Sequence, residues 1–205
     1  MSVYDVKIKS ADGQEDFLGQ FKGKVSLIIN VTGDCGNAPQ YGVIETLYRK
    51  YKDQGFEVIA VPTNDYCGVG LTYGEHVYGT DTAQSAREFA KEKYGVTYGF
   101  TELIESNPCE NDVIPGLASK AGQVTPHEVY VTLCDMAKEK QQNDSTFGNG
   151  GSTLGGNFEK YLVGKDGKLL KNYNNGALLN YAKDVLRADL AYMNLCEDIE
   201  AALAA

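Results

Sequence analysis

Tryptophan is absent from the chain, histidine occurs twice and proline five times in 205 residues. The two histidines, His76 and His127, share no ligand spacing with a cysteine, so a histidine-built metal centre has no basis in the sequence. No apolar run approaches the roughly 18 residues that a membrane-crossing helix needs. The opening MSVYDVKIKSADGQED has no apolar core of signal-peptide type. Basic residues are scarce too, 19 Lys and Arg against 28 Asp and Glu, for a net charge of −9 without a local basic cluster. Such a surface repels phosphate backbones. The expectation is a soluble, cytoplasmic protein with neither nucleic acid nor membrane among its partners.

Cysteine is present but unpaired in pattern. Cys35, Cys67, Cys109, Cys134 and Cys196 are odd in number and irregularly spaced, unlike a disulfide framework or a CxxC zinc site. The missing CxxC around Cys35 also ranks a general disulfide exchanger last among the functions considered.

Regular elements are legible in the patterning. KVSLIINV at 24–31 is a nearly continuous apolar run rich in β-branched residues, which predicts a strand covered on both faces. Pro39 suits a first helical turn, and Ile44, Leu47, Tyr48 and Tyr51 recur at helical spacing until Gly55, predicting a helix over 39–53. FEVIAV at 56–61 is a second strand, and the resulting βαβ unit calls for parallel pairing. Asp81 and Gln84 stand at capping-box spacing for a helix over 82–94 that Gly95 closes. Thr125-Pro126-His127-Glu128 makes another box, opening a helix to Lys138. FEKYLVG and KLLKNY flank Lys165-Asp166-Gly167 as a hairpin, since Asp-Gly supplies the positive φ of tight turns. Tyr181, Val185, Leu190, Leu195 and Ile199 form a stripe for a terminal helix over 178–203 with room for a short break, while QQNDSTFGNGGSTLGG at 141–156 reads as a polar loop. Chain length points to one domain over 1–205, with 98–156 as a divergent insertion or loop region within it.

NVTGDCGNAPQY, residues 30–41, resembles the segment in which glutathione peroxidases carry a catalytic Cys or selenocysteine between a strand and a helix. Upstream, VYDVKIKSADGQEDFLGQFKGKVSLIINV resembles the family's opening hairpin and first central strand. ETLYRKYKDQGFEVIAVPTND resembles its helix, next strand and following loop, and NFEKYLVGKDGKLLKNY a later hairpin; residues 67–156 agree only in the order of elements. The resemblance implies an α/β, thioredoxin-like fold: a central mixed β-sheet flanked by helices, with an N-terminal hairpin and an atypical middle segment. It implies a thiol peroxidase, an oxidoreductase of the oxidative stress response without a resident cofactor. Its partners would be a hydroperoxide and a thiol reductant, glutathione or thioredoxin as co-substrate, with a homo-oligomer or larger assembly left open.

Cys35 precedes a predicted helix N-terminus, where unpaired N–H groups and the macrodipole favour a thiolate. Asp34 opposes this by like-charge repulsion, and no Lys or Arg lies in the loop itself. The resemblance assigns anion stabilisation to Asn157 and to backbone N–H groups near Gly36. It also exposes departures: Gly156 stands where the family has Trp, Val69 falls at its catalytic Gln in a gapless alignment, and Ala90 falls where thioredoxin-dependent members keep a resolving Cys. Cys67 lies in the loop that reaches the active site in this family, so a Cys35–Cys67 disulfide is set against a chance replacement of Gly. Cys134 and Cys196 fall on helical apolar stripes and read as small hydrophobes; Cys109, beside Pro108, is undetermined. The fourteen tyrosines read as scattered packing rather than a contact surface. The alternative function is a catalytically degenerate scaffold, a binding or structural subunit of a larger assembly. The enzyme needs an exposed, low-pKa Cys35 thiol where the scaffold tolerates an inert or buried one; a replacement donor at the Gly155–Gly156 gap favours the enzyme, and a large exposed apolar patch favours the scaffold.

Overall fold

The run at 24–31 becomes the central strand β1 (Val25–Val31) in a computed structural model that describes residues 1–63, 72–73, 76–77, 80, 82–106, 126–143, 156–179 and 190–205. Every β1 residue is buried because both faces are covered. Val25, Leu27, Ile29 and Val31 join the core under α1 (Gln40–Tyr51) and α2 (Ala83–Tyr94). Ile28 faces the opposite core, built on the N-terminal segment and α3 (Glu128–Asn143). Burying each such large aliphatic side chain contributes about 1.5–3 kcal/mol. Ser26, polar in that apolar strand, is satisfied by the Tyr4 hydroxyl at 2.8 Å.

Strand β2 (Phe56–Pro62) pairs with β1 in parallel, Val25 opposite Phe56 through Val31 opposite Pro62, as the βαβ reading requires. Gly55 sits at φ 94°, a left-handed position that removes the turn between α1 and β2 from the reach of most side chains. A two-stranded ribbon, β3 (Thr72–Tyr73) and β4 (His76–Val77), stands apart from the main sheet. Strand β5 (Gly99–Phe100) adds to β2, and the hairpin β6 (Lys160–Val163) and β7 (Leu169–Tyr173) adds antiparallel to the other side of β1. The sheet order is β5-β2-β1-β6-β7, a mixed sheet. The hairpin turns through Gly167 at φ 75°. The N-terminal hairpin is an irregular one: Phe17 N donates to Ile8 O and Ser10 N to Gln14 O, and Ser10 bridges Thr101 at the sheet edge.

Helix ends differ from the sequence reading in instructive ways. The box on α2 is formed by Thr82 and Ser85, while Asp81 lies outside the described residues: the Thr82 hydroxyl accepts from Ser85 N at 3.0 Å and the Ser85 hydroxyl from Thr82 N at 3.1 Å. Gln84 instead reaches Ala11 O. Helix α3 runs five residues beyond Lys138, so Gln141, Gln142 and Asn143 are helix rather than loop. Of the terminal stripe, α4 (Leu190–Ala204) buries Leu195 and Ile199 but leaves Leu190 72% exposed, because Leu190 opens the helix beyond the reach of the core. Thr125, Tyr181 and Val185 lie outside the described residues. No described helix is long and apolar enough to cross a membrane.

At the start of α3 the half-buried His127 accepts Val129 N at 3.2 Å through Nδ1, and its backbone N–H donates to Glu105 O. Burial holds its imidazole below the ordinary range. A base depressed in this way binds fewer protons folded than unfolded, so its contribution is full above the unfolded value near 6.5 and is lost as pH falls through the folded value. Protonation also removes the Nδ1 acceptor. Thermal melts from neutral to mildly acidic pH are expected to show a stability decline that is shallower in His127→Asn; equal slopes would reject the assignment.

Candidate active site

The chain leaves the carboxyl end of β1, turns through residues 32–39 and enters α1, the position at which open α/β sheets present their ligand sites. Cys35 lies in this turn, half-buried, its carbonyl accepting from Ala38 N at 3.0 Å while its side chain packs on the core under α1. Gln40 N and Tyr41 N continue the turn into the helix. Among the described residues neither Gly36 N nor Asn37 N donates to a backbone carbonyl, and Gly36 is exposed. The positive end of α1 and these amides create an environment that suits an anion.

A cradle from the far end of the chain holds this turn. Asn30 on β1 donates through Nδ2 to Gly156 O at 2.9 Å, accepts from Glu159 N at 2.9 Å, and takes Phe158 N on its own carbonyl at 2.7 Å. These bonds fix Phe158 at φ 71°, unusual for a bulky side chain, and its ring meets Tyr41 edge-on at 4.8 Å. Asn157, only 5% exposed, is thereby set beside the cysteine turn, where Asn37 Nδ2 donates to its carbonyl at 3.1 Å. Gln40 binds Asn175 O at 2.7 Å and Leu178 N at 3.3 Å. The fully buried Lys160 ammonium gathers the carbonyls of Phe158, Asn174 and Asn175 at 2.7, 3.2 and 3.4 Å. A buried charge requires such satisfaction.

Helix α2 closes the other side. Tyr41, wholly buried, donates to Thr32 O at 2.6 Å and packs on Phe89, Tyr94 and Phe100. Burial pushes the Tyr41 and Tyr94 phenols up from their ordinary range, and a negative Cys35 adds to the effect at both, so these rings stay neutral beside the thiol. Lys93 extends from the last turn of α2 to Asp34 Oδ2 at 3.5 Å. The C-terminal end of α2 is fastened to α1: buried Glu45 accepts from Thr97 N at 2.8 Å, Thr97 Oγ1 at 2.7 Å and Arg49 Nε at 2.6 Å.

Cys35, Gly36 and the Asn157 segment are thus brought together; Cys67, Val69 and Cys109 lie outside the described residues. Ala90 is fully buried in α2. Gly156 is buried at φ 153°, and a Cβ there would stand 2.5 Å from the Asn175 amide nitrogen, so that amide fills the root of the space a Trp would need. Cys134 and Cys196 are buried, and no disulfide joins either to Cys35 or to the other. Lys93, Asn37, Lys160 and Asn175 were invisible in the sequence as site residues because their partners lie far along the chain. No cluster of metal-ligating side chains occurs among the described residues.

Comparison with known proteins gives this geometry a family. The family model "Glutathione peroxidase" matches residues 3–115. Glutathione peroxidase-like peroxiredoxin 2 of Saccharomyces cerevisiae is 32% identical over 174 residues, 85% of this chain and 88% of that protein. The chain belongs to the glutathione peroxidase family. A second yeast relative, Glutathione peroxidase-like peroxiredoxin HYR1, is 34% identical over 163 residues, 80% of each chain. Among solved structures, the crystal structure of T. cruzi GPX1 superposes with a TM-score of 0.59 at 20% identity, covering 100% of this chain and 97% of the other. Within the glutathione peroxidases the fold is thioredoxin-like, and the mixed sheet described above has that form.

Proposed function

We propose that this glutathione peroxidase family chain reduces hydroperoxides, with Cys35 as the attacking nucleophile and a thiol as the final reductant. The observation that carries the reading is the half-exposed Cys35 at the N-terminal end of α1, held between the Asn157 turn and α2. The Cys35 thiolate attacks the terminal peroxide oxygen, the O–O bond breaks, and the alkoxide or hydroxide leaves with a proton, giving Cys35 sulfenic acid and an alcohol or water. The Gly36 and Asn37 amides and Asn157 stabilise the anionic groups of this step. A thiol then condenses with the sulfenic acid, releasing water and forming a disulfide, and a second thiol restores Cys35.

Ala90 gives α2 no resolving thiol, so the condensing thiol is Cys67 or the external reductant, glutathione or thioredoxin. Support for an enzyme over a degenerate scaffold comes from the exposure of Cys35 and from the Asn175 amide at Gly156, a donor at the gap left by the family Trp. Among the described residues the exposed large apolar side chains are Met1, Val131, Leu170, Leu190 and Met193. We place the protein in the cytoplasm, as its composition suggests.

Stopped-flow oxidation of the reduced protein by hydrogen peroxide and an organic hydroperoxide, with thiols counted by mass spectrometry, tests the reading. Fast loss of the Cys35 thiol is expected, at a rate Cys67→Ser leaves unchanged. If Cys67 resolves, the same variant stops at sulfenic acid until an external thiol is added. Oxidation no faster than that of free cysteine would leave only the scaffold.

A further inference from the structure

Asp34 poses a problem for the chemistry just described, because a carboxylate adjacent in sequence to the nucleophile disfavours its thiolate. The turn carries no cation of its own. The fold supplies one from 59 residues away: Lys93 Nζ stands 3.5 Å from Asp34 Oδ2, with the Asp34 side chain only 16% exposed. The ammonium is also fixed over two rings of its own helix, 5.0 Å from the Phe89 centroid and 5.7 Å from that of Tyr94. Its place in the last turn of α2 is favoured by the helix macrodipole. A cation so placed makes the carboxylate one half of an ion pair, whose field at a neighbouring atom falls off faster than that of a single charge.

We propose that Lys93 is a positioning residue of this active site, holding and neutralising Asp34 so that the Cys35 thiolate forms near neutral pH. The proposal rests on Cys35 being the nucleophile. Other titratable groups among the described residues also border the turn. Tyr41 from α1 and Tyr94 from α2 face Cys35 and remain neutral. On the β6 side Lys160 is committed to its three carbonyls, and Glu159 is buried next to it in sequence. Among the described residues, Asp34 and Lys93 form the charged pair that links α2 to the cysteine turn.

The test uses the thiolate itself, read by absorbance near 240 nm and by the pH dependence of Cys35 alkylation with iodoacetamide, with peroxide oxidation measured in parallel. Lys93→Gln is expected to raise the midpoint of the Cys35 titration and to slow alkylation at neutral pH by about three- to ten-fold, an effect of roughly one pKa unit or less. Lys93→Arg restores both. Asp34→Asn lowers the midpoint, and in that background Lys93→Gln changes alkylation less than about two-fold, since the charge it offsets is gone. Melting curves confirm that each variant is folded. An unchanged midpoint in Lys93→Gln, or an equal shift with and without Asp34, would overturn the proposal. Should the alkylation profile behave as expected while peroxide oxidation stays slow, the peroxidase reading fails and the role of Lys93 stands.

Discussion

Cys35→Ser is expected to lower the rate of hydroperoxide reduction by about three orders of magnitude or more, with little change in stability. The argument has two parts. A serine hydroxyl is almost fully protonated at neutral pH and is a poor nucleophile toward oxygen, so neither the end of α1 nor the ion pair on α2 can rescue the step. No other described thiol can take over, because Cys134 is buried near the Tyr161 hydroxyl at 3.9 Å and Cys196 is buried on the core side of α4. The exchange is nearly isosteric and the cradle does not depend on sulfur, so the melting temperature should move by no more than the equivalent of about 1 kcal/mol. Retention of more than about a tenth of the activity would reject Cys35 as nucleophile.

The second large effect concerns stability and runs against intuition from the family. Restoring the family residue with Gly156→Trp is expected to destabilise the fold by about 3 kcal/mol or more rather than to repair the site. A φ of 153° is a conformation that L side chains rarely adopt, and the Cβ would meet Asn175 Nδ2 at 2.5 Å. Backbone strain of that kind costs about 1–3 kcal/mol and overpacking a further 1–3 kcal/mol. The Asn175 backbone is held in place, its main-chain carbonyl bound by Gln40 and approached by Lys160, so relief of the contact falls to rotation of the side chain alone. Combining Gly156→Trp with Asn175→Gly should recover the overpacking part but not the backbone part. Chemical denaturation of the two single variants and the double variant checks this; additive losses would show that the two residues do not compete for one space.

How much of this was legible in the sequence follows from the range of the interactions. The strands at 25–31 and 56–62, the helix between them and the hairpin from 160 to 173 are each declared by a pattern within about a dozen residues, and they lie where that pattern put them. The α2 cap was misread because two overlapping pairs carry the same spacing, and tertiary contact decided between them: Gln84 has Ala11 to bind. Leu190 carried the right periodicity and the wrong neighbourhood, since a stripe says which side of a helix is apolar and not how far the core reaches. Cys35 can be proposed as the nucleophile from the sequence because its motif is contiguous. The approach of Lys93 to Asp34 cannot be read there, because neither its helix nor the cysteine turn bears any mark of the other.

The bonds that frame Cys35 join residues separated by 120, 126 and 135 positions. During synthesis the cysteine therefore leaves the ribosome well before the Asn157 turn and the Asn175 carbonyl exist. Until the chain has grown past Leu178, the nascent thiol has α1 beside it but no cradle. The protein thus acquires its peroxide chemistry late, and a stalled or truncated chain carries an exposed cysteine without the groups that would make its reaction productive.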